Sequence, residues 1–496
     1  MTFYKIKEFA LKNKYILAIL ALGLFLRLYE YKELFMYGHD QDLQGWFIRD
    51  VLENKHLRLI GQETSTQGMF IGSLFYYLLI PFYLLFGMDP IGGVFLTALI
   101  GLFTIWSFYF VFTKIFDEKT GLVGAFIYSI SFYTVFNDRE VVPTMPVILW
   151  TVWYLYGLWS TSKGENLKSM LLLGLLIGLI WHLNMALVIV LPLALLAIFF
   201  SNKKPDVKSY IYSAFVFVGT SLPLFLFELR HGFSQTKYLF GSVTTNQHDI
   251  VSGWDKVVRT FHLLSKDFSG IIWGDYFELK YEYVTWIFFG IFATLIIKNK
   301  IEKKISVLIG SWVLIYLAFF SLYSKIVSEY YLNGSLVVFI AVLALALTTL
   351  LKNKKYSDFA KAFLILFTIV NLDRFITIPL NKSGYVEKNQ VLDAIKANQI
   401  DKGYPCVSLS YITNPGYERG YRYFTWQKRI KVKPVSNEVP VYTIVFPLKP
   451  IFGTDMTFGA IGLIYPDHPK YNLEQINKSC EGEDFNLIDS MIGFTS

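Results

Sequence analysis

Long apolar runs recur along most of this chain, and they constrain its fold more than any other feature. They cover roughly residues 15–30, 69–87, 91–115, 121–136, 141–160, 169–200, 209–227, 283–297, 305–322, 332–351 and 362–379. About 20 apolar residues suffice for a helix to cross the hydrocarbon core of a bilayer. Hydrophobic residues make up 54% of the 496 residues and charged residues only 17%, against about 25% charged in a soluble domain. The sequence therefore predicts a polytopic membrane protein and excludes a soluble enzyme, a disordered chain and a disulfide scaffold.

Lysines cluster in the short segments between these runs. The clusters lie at 114–119, 163–168, 203–208, 298–304 and 352–361. Lysine and arginine are enriched in cytoplasmic loops, so we expect all five segments, and the basic N-terminus, to be cytoplasmic. The net charge of +8 is explained in this way, and no nucleic-acid partner is predicted.

The number of crossings between two cytoplasmic segments must be even, and this decides two ambiguous runs. We expect residues 69–87 to lie at the outer interface without spanning, and residues 170–200 to form a hairpin of two short spans. The prediction is about 11 transmembrane helices in residues 1–379, with an outer loop over residues 30–90. Residues 380–496 then form an extracytoplasmic domain.

The C-terminal segment has a different character from the rest. Strand-like runs occur at 406–412 and 439–446, and a helical pattern occurs at 386–397. These patterns predict a small α/β domain. It contains both cysteines, Cys406 and Cys480, which could form a disulfide in an oxidising compartment or remain two buried thiols.

Most of the unusual polar residues fall on the predicted outer face. They are Asp40, Asp42, Arg139, His182, Glu228, Arg230, His231 and Tyr330. Ionisable groups at membrane depth mark candidate functional sites. The structural alternatives are a solvated turn for the two aspartates, interfacial anchors for the arginines and a hairpin tip for His182.

The relative direction of the Asp40 and Asp42 side chains depends on the backbone conformation of this segment. In an extended segment the two carboxylates would share one side and could hold a divalent cation through hard oxygens, whereas in a helix they would point apart. Residues 42–54 have the apolar spacing of an amphipathic helix, which we expect to lie along the membrane interface.

Several segments, taken in order, resemble a known family. They are Asp40-Gln41, Ile48–Glu53, Leu59–Gly61, Tyr76–Leu79, Arg139 with Pro143 and Pro146, Gly178-Leu179 with His182, Phe227–Phe233 and Tyr330-Tyr331. The set is similar to bacterial GT-C glycosyltransferases of the protein mannosyltransferase-like and aminoarabinose transferase-like groups. The resemblance covers about residues 15–350.

The resemblance implies an enzyme that moves a hexosyl or pentosyl group, with inversion, from a polyprenyl-phosphate carrier to an acceptor outside a bacterial inner membrane. Asp40 matches the catalytic acidic residue of the family's first outer loop, and Asp42 would assist it as a second carboxylate. The remaining polar residues of the outer face would hold the phosphate or shape its pocket. The acceptor, which could be a glycan, a lipid or a protein, is not specified. Neither the residues nor the resemblance establishes a cofactor, and a divalent cation on Asp40 and Asp42 is the one candidate.

Two other functions fit the same sequence. One is a lipid-linked sugar flippase or other transporter, and the other is a non-catalytic membrane sensor that works through residues 380–496. An enzyme requires Asp40, Arg139 and Arg230 to converge in one cavity, whereas a sensor does not.

Overall fold

The computed structural model describes residues 12–64, 68–244, 251, 253–274, 282–323, 329–449 and 451–488. The N-terminal half is helical except for one short hairpin of two strands. Its α-helices are α1 (Lys14–Leu28), α2 (His39–Glu53), α3 (Leu74–Leu85), α4 (Gly92–Ile115), α5 (Glu118–Ile130), α6 (Phe132–Asn137), α7 (Val147–Lys163), α8 (Asn166–Leu183), α9 (Pro192–Phe199) and α10 (Val207–Arg230). The antiparallel hairpin is β1 (Ile60–Glu63) with β2 (Phe70–Gly72).

The second half continues the helical bundle and then changes to mixed structure. Its helices in the bundle are α11 (Ser234–Thr244), α12 (Gly253–Trp273), α13 (Glu282–Ile297), α14 (Lys303–Leu322), α15 (Leu336–Leu351) and α16 (Ser357–Ile376). Among the described residues, five helical segments are long and apolar enough to cross a bilayer: α4, α8, α10, α14 and the segment Asn333–Leu351. The chain is thus a multi-pass membrane protein, and the number 11 stays a prediction.

The stretch 170–200 forms the predicted hairpin. Helix α8 ends at Leu183, a 3₁₀ helix (Met185–Val190) follows, and α9 returns in the opposite direction. The return is complete, because Asn166 Nδ2 at the start of α8 donates to Lys204 O at 2.9 Å. The predicted hairpin is therefore present, and the crossing of the membrane by each of its two arms stays a prediction. Within residues 69–87, helix α3 has only 12 residues, fewer than the roughly 20 that cross a bilayer, and its predicted place at the outer interface stays a prediction.

Helices α8 and α10 pack closely through two glycines. Gly174 and Gly178 are four residues apart on α8, and a side chain at either position would collide with Ser213 or Thr220 of α10. Small residues at this spacing let two helix backbones approach in the absence of a hydrophobic driving force between them. This contact fixes α10, whose remaining surface is largely exposed.

The C-terminal residues form the predicted α/β domain. Its elements are α17 (Tyr385–Asp401), β3 (Ser408–Thr413), α18 (Arg422–Gln427), β4 (Val441–Phe446), β5 (Met456–Phe458), β6 (Ile461–Ile464), α19 (Leu473–Ser479) and α20 (Phe485–Ile488). The sheet order is β3-β4-β6-β5, with β3 and β4 parallel and the other pairs antiparallel. A disulfide joins Cys406 to Cys480, which resolves the alternative left open by the sequence.

The apolar face of helix α2, which we expected to lie against the membrane interface, is covered by protein instead. Its apolar residues Trp46 and Phe47 are 4% and 2% exposed, because they pack against protein and not lipid. The Phe47 ring stacks on Tyr76 of α3 with 4.6 Å between centroids, and Trp46 lies against Trp426 of the C-terminal domain. The apolar face of α2 therefore belongs to a core that the outer loop and the C-terminal domain share.

Candidate active site

Asp40 lies in the first turn of α2, and the residues around it fix its position. Gly38 precedes the helix in an extended conformation and its N–H donates to Gln41 Oε1 at 2.8 Å. Gln41 Nε2 donates to Val141 O at 3.0 Å, and Gln44 Nε2 donates to the same oxygen at 2.7 Å. These bonds tie the start of α2 to the segment between α6 and α7.

The strand β1 supplies a direct partner for Asp40. Gln62 Nε2 donates to Asp40 Oδ1 at 3.0 Å. The phenol of Tyr76 donates to Gln62 Oε1 at 3.0 Å and accepts from Gln62 N–H at 3.1 Å. Because Tyr76 occupies the amide oxygen, the amide nitrogen of Gln62 faces the carboxylate. The site prediction missed Gln62, which no local pattern distinguishes from other loop glutamines.

A cavity of about 1300 Å³, here called the main cavity, opens beside Asp40. Its charged lining residues are Asp40, Glu63, Glu140, Lys266 and Asp267. Aromatic side chains, Tyr330 and Tyr331 among them, form much of its remaining wall. Tyr330, which the sequence predicted as a candidate binding residue, thus lies in the wall of the main cavity. A concave, largely apolar cavity with few polar groups is typical of a ligand site.

A second cavity of about 640 Å³ adjoins the main cavity at the carboxylates of Asp40 and Glu140. Asp40, Phe136, Glu140 and Val142 line both cavities. Part of the wall of the second cavity comes from the C-terminal domain, including Lys388 of α17. The two carboxylates therefore lie on the border between two spaces, each large enough for a ligand.

Glu140 is the principal site residue that the sequence prediction passed over. Its carboxylate is accessible from the cavities, and the surrounding protein raises its pKa, with a further contribution from the negative charge of Asp40. The signal was its place directly after Arg139 in a short polar segment. Like-charged carboxylates that face one space are a feature of acid–base sites.

Asp42 does not share this site. Because α2 begins at His39, Asp40 and Asp42 are two residues apart on a helix and diverge. Asp42 Oδ1 accepts from Tyr423 N–H at 3.0 Å and from Tyr37 OH at 3.2 Å. Burial raises the pKa of Asp42 to about 6, while the Tyr423 hydrogen bond and the charge of Lys388 act against this shift. Asp42 thus fastens α2 to the C-terminal domain.

The helix also removes the geometry on which a shared cation depended. Within the described ranges, no group of three or more His, Cys, Asp or Glu side chains is arranged to hold a metal ion. The residues present therefore do not fit a metal bound by Asp40 and Asp42 together.

Arg139 lines the second cavity together with Asp40, so these two predicted residues are brought together. Its guanidinium is mostly buried, with Nη1 donating to Leu26 O at 3.0 Å and Nη2 to Glu30 O at 3.1 Å. Both of these bonds hold the end of α1 near the cavity wall.

His182 and Glu228 connect structural elements. His182 Nδ1 accepts from Leu74 N–H at 3.3 Å and Nε2 lies 3.1 Å from Thr220 O, so the buried ring joins α3, α8 and α10. The buried carboxylate of Glu228 accepts from the N–H groups of Gln235 and Thr236, at 3.1 and 3.0 Å, at the start of α11. A phosphate-binding role for either side chain is not supported by these contacts.

Arg230 and His231 lie outside both cavities. Both are exposed at the end of α10, and the His231 ring stacks on Phe227 at 4.0 Å between centroids. The predicted convergence thus holds for Asp40 and Arg139 and fails for Arg230. The reason is that α10 faces the bundle mainly through its contact with α8, which leaves its last residues pointing away.

Lys266, on α12, contributes a positively charged side chain to the lining of the main cavity. This helix was not predicted, because its charged residues interrupt the apolar run. Its signal was amphipathic spacing, since the buried residues Leu264, Phe268 and Ile271 recur at intervals of four and three. Lys266 and Asp267 both line the main cavity, and Tyr133 OH donates to Asp267 Oδ1 at 3.2 Å.

The chain is similar to known proteins both in sequence and in fold. The sequence profile of the family described as dolichyl-phosphate-mannose-protein mannosyltransferase matches residues 72–226. No curated protein sequence matches the chain. Among solved structures, ArnT from Cupriavidus metallidurans bound to undecaprenyl phosphate is similar, with a TM-score of 0.58 at 11% identity over 93% of this chain and 99% of that one.

Two further solved structures are similar with lower TM-scores. The oligosaccharyltransferase AglB from Archaeoglobus fulgidus, in complex with an inhibitory peptide and a dolichol-phosphate, has a TM-score of 0.42 at 12% identity, covering 88% of this chain and 69% of that chain. The arabinofuranosyltransferase AftD from Mycobacteria has a TM-score of 0.47 at 11% identity, covering 88% and 37%. The profile match and the fold shared with ArnT point to the GT-C glycosyltransferase superfamily, which confirms the resemblance found in the sequence.

Proposed function

We propose that this protein is an integral-membrane glycosyltransferase that moves a sugar from a polyprenyl-phosphate carrier to an acceptor. The observation that carries the proposal is the position of Asp40 and Glu140 on the border between the main and second cavities. A group-transfer reaction needs two substrates that meet at one set of catalytic groups, and this arrangement provides such a meeting point. The reaction takes place on the side of the membrane that carries the C-terminal domain, which is the extracytoplasmic side of a bacterial inner membrane.

The main cavity binds the donor. Its aromatic and aliphatic wall suits the first isoprene units, and Lys266 supplies a positive charge for the phosphate. The similar ArnT structure holds undecaprenyl phosphate, which supports a donor of this chemical class. As the donor bond breaks, negative charge gathers on the departing phosphate. A fixed cation then stabilises the transition state more than the ground state.

The second cavity binds the acceptor, whose hydroxyl reaches the donor at the border. Asp40 accepts the proton of this hydroxyl while the oxygen forms a bond to the anomeric carbon. The bond from that carbon to the phosphate oxygen breaks, and polyprenyl phosphate leaves. A single displacement of this kind inverts the anomeric configuration. Glu140 is placed to orient the acceptor hydroxyl toward Asp40.

The test is transfer in proteoliposomes with radiolabelled polyprenyl-phosphate hexoses and pentoses as donors. Wild-type protein is expected to consume at least one donor and release polyprenyl phosphate when an extract of envelope glycans, lipids and proteins is supplied. Folded protein that consumes none of the donors would overturn the proposal and favour the transporter or sensor functions.

The link from Tyr76 through Gln62 to Asp40 gives a second prediction. Gln62→Leu removes a hydrogen bond to the Asp40 carboxylate, and such a bond is worth about 1.5–3 kcal/mol. We therefore expect turnover to fall about 10-fold in this variant. Tyr76→Phe only frees the Gln62 amide to rotate, so turnover should fall less. Because both residues position Asp40, kcat should fall while KM for the donor stays nearly constant.

The matched control for this prediction is the neighbouring tyrosine. Tyr77 also lies on α3, but its hydroxyl donates to Arg58 O and has no bond to Gln62. Tyr77→Phe should keep wild-type turnover. An equal loss in Tyr76→Phe and Tyr77→Phe would mean that the effect comes from α3 packing and not from Asp40.

A further inference from the structure

Lys388 belongs to the C-terminal domain and lines the second cavity. The residue is on the first turns of α17 and is only 7% exposed. Its Nζ donates to Arg419 O at 3.2 Å and lies 4.9 Å from the centroid of the Tyr421 ring. An ammonium has three N–H donors, and within the described part of the chain Arg419 O is the single acceptor that reaches it.

The carboxylate behind Lys388 does not neutralise it by direct contact. Asp42 directs its Oδ1 to Tyr423 and Tyr37, and its Oδ2 has no hydrogen-bond partner among the described residues. Burial lowers the pKa of Lys388 to about 8, and the negative charge of Asp42 opposes this shift. A buried cation without a direct anionic partner is costly, and an anionic ligand would offset this cost.

The charges of the second cavity are unevenly distributed. The carboxylates Asp40 and Glu140 line both cavities. The basic residues Lys388, Arg139 and Arg419 line the second cavity and not the main cavity. Aromatic rings complete the same wall, including Tyr417 and Tyr421. Rings of this kind offer flat apolar faces to a sugar, and the cations offer a place for a negative charge.

We propose that Lys388 binds an anionic group of the acceptor, so that the second cavity selects a glycan or a lipid headgroup that carries a phosphoryl group near the hydroxyl to be glycosylated. This inference rests on the proposed function, because it names the acceptor class of the same site. It makes the C-terminal domain a determinant of specificity and not only a support for α2.

The experiment measures binding to full-length protein in nanodiscs, with undecaprenyl phosphate added first so that the donor site is occupied. Calorimetric titrations then compare glucose 6-phosphate with glucose, and dihexanoylphosphatidic acid with dihexanoylglycerol. At least one phosphate probe should bind about 10-fold more tightly than its neutral partner. A preference for the sugar phosphate indicates a glycan acceptor, and a preference for the lipid phosphate indicates a lipid headgroup.

Variants assign this preference to one side chain. Lys388→Met should abolish the preference for phosphate, and Lys388→Arg should retain part of it because it keeps the cation. Lys396→Met is the control, since Lys396 lies on the same helix and donates to Arg429 O at the surface. Melting temperatures of all three variants show whether each is folded, and Lys388→Arg keeps the test usable if Lys388→Met does not fold.

Phosphate probes that bind no better than the neutral probes would overturn the inference, as would a Lys388→Met variant that keeps the preference. Transfer assays on the same preparations separate this inference from the proposed function. Transfer by the wild type without any phosphate preference refutes the role of Lys388 alone. A Lys388-dependent preference without sugar transfer from any donor refutes the proposed function alone.

Discussion

Replacement of Asp40 by Asn is expected to reduce sugar transfer by about 1,000-fold, because a positioned general base contributes about 10²–10⁴ to rate. Asparagine has nearly the same shape and can still accept the hydrogen bond that Gln62 Nε2 donates to Asp40 Oδ1. It cannot accept the proton of the acceptor. The measurement is initial transfer rate in proteoliposomes with saturating donor, together with donor binding, which should be unchanged.

A carboxylate at the other end of α2 provides the control for Asp40→Asn. Glu53 pairs with Arg49 one turn earlier and its side chain is 46% exposed. Glu53→Gln removes one negative charge from the same helix without touching either cavity, and it should transfer sugar at the wild-type rate. Full activity in Asp40→Asn, with the wild-type product, would refute the assignment of the base.

Replacement of Arg27 by Met should have the largest effect on stability. Arg27 Nε and Nη2 donate to Asp138 Oδ2 at 2.8 and 2.6 Å, and neither side chain is exposed. Tyr128 OH donates to the other carboxylate oxygen at 2.6 Å. Removing the arginine leaves a buried carboxylate without its counter-charge, which costs about 3–5 kcal/mol of the free energy of unfolding. Thermal unfolding in detergent, monitored by tryptophan fluorescence, measures the loss.

A double variant and a surface pair make the Arg27 prediction specific. Arg27→Met with Asp138→Asn removes both charges and should recover part of the lost stability. Lys352→Met breaks the ion pair with Asp117, whose side chains are 49% and 38% exposed, and should cost at most about 1 kcal/mol. If Arg27→Met unfolds at the same temperature as Lys352→Met, the buried pair does not stabilise the bundle as argued.

The sequence predicted a multi-pass helical bundle because length and hydropathy are local properties, whereas the number of 11 crossings stays a prediction. The hairpin of α8 and α9 followed from the lysine clusters alone, although α9 is too short to be recognised as a span. Helix α2 shows the limit of such reasoning. Its apolar face was correctly identified, but hydropathy does not distinguish lipid from Tyr76 and Trp426 as the surface that covers it.

The site was predicted in part for a similar reason. Asp40 stands in a motif that can be read locally, whereas Gln62, Glu140 and Lys388 join it only through tertiary contacts. Conversely, histidine often binds ligands, but the His182 ring is buried between Leu74 and Thr220 and connects structural elements. No spacing in one sequence could have shown this structural role, because the two partners of His182 lie 108 and 38 residues away.

The bond between Tyr423 N–H and Asp42 also has a consequence for the timing of biosynthesis. The two residues are 381 positions apart, so the ribosome makes the helix that carries Asp40 long before it makes the domain that holds this helix in place. The membrane helices can insert while the C-terminal domain is still being translated, and α2 then lacks the part of its core that this domain supplies. On the proposed function, the catalytic site therefore depends on residues made long after Asp40, and chains terminated before Tyr423 are expected to be inactive.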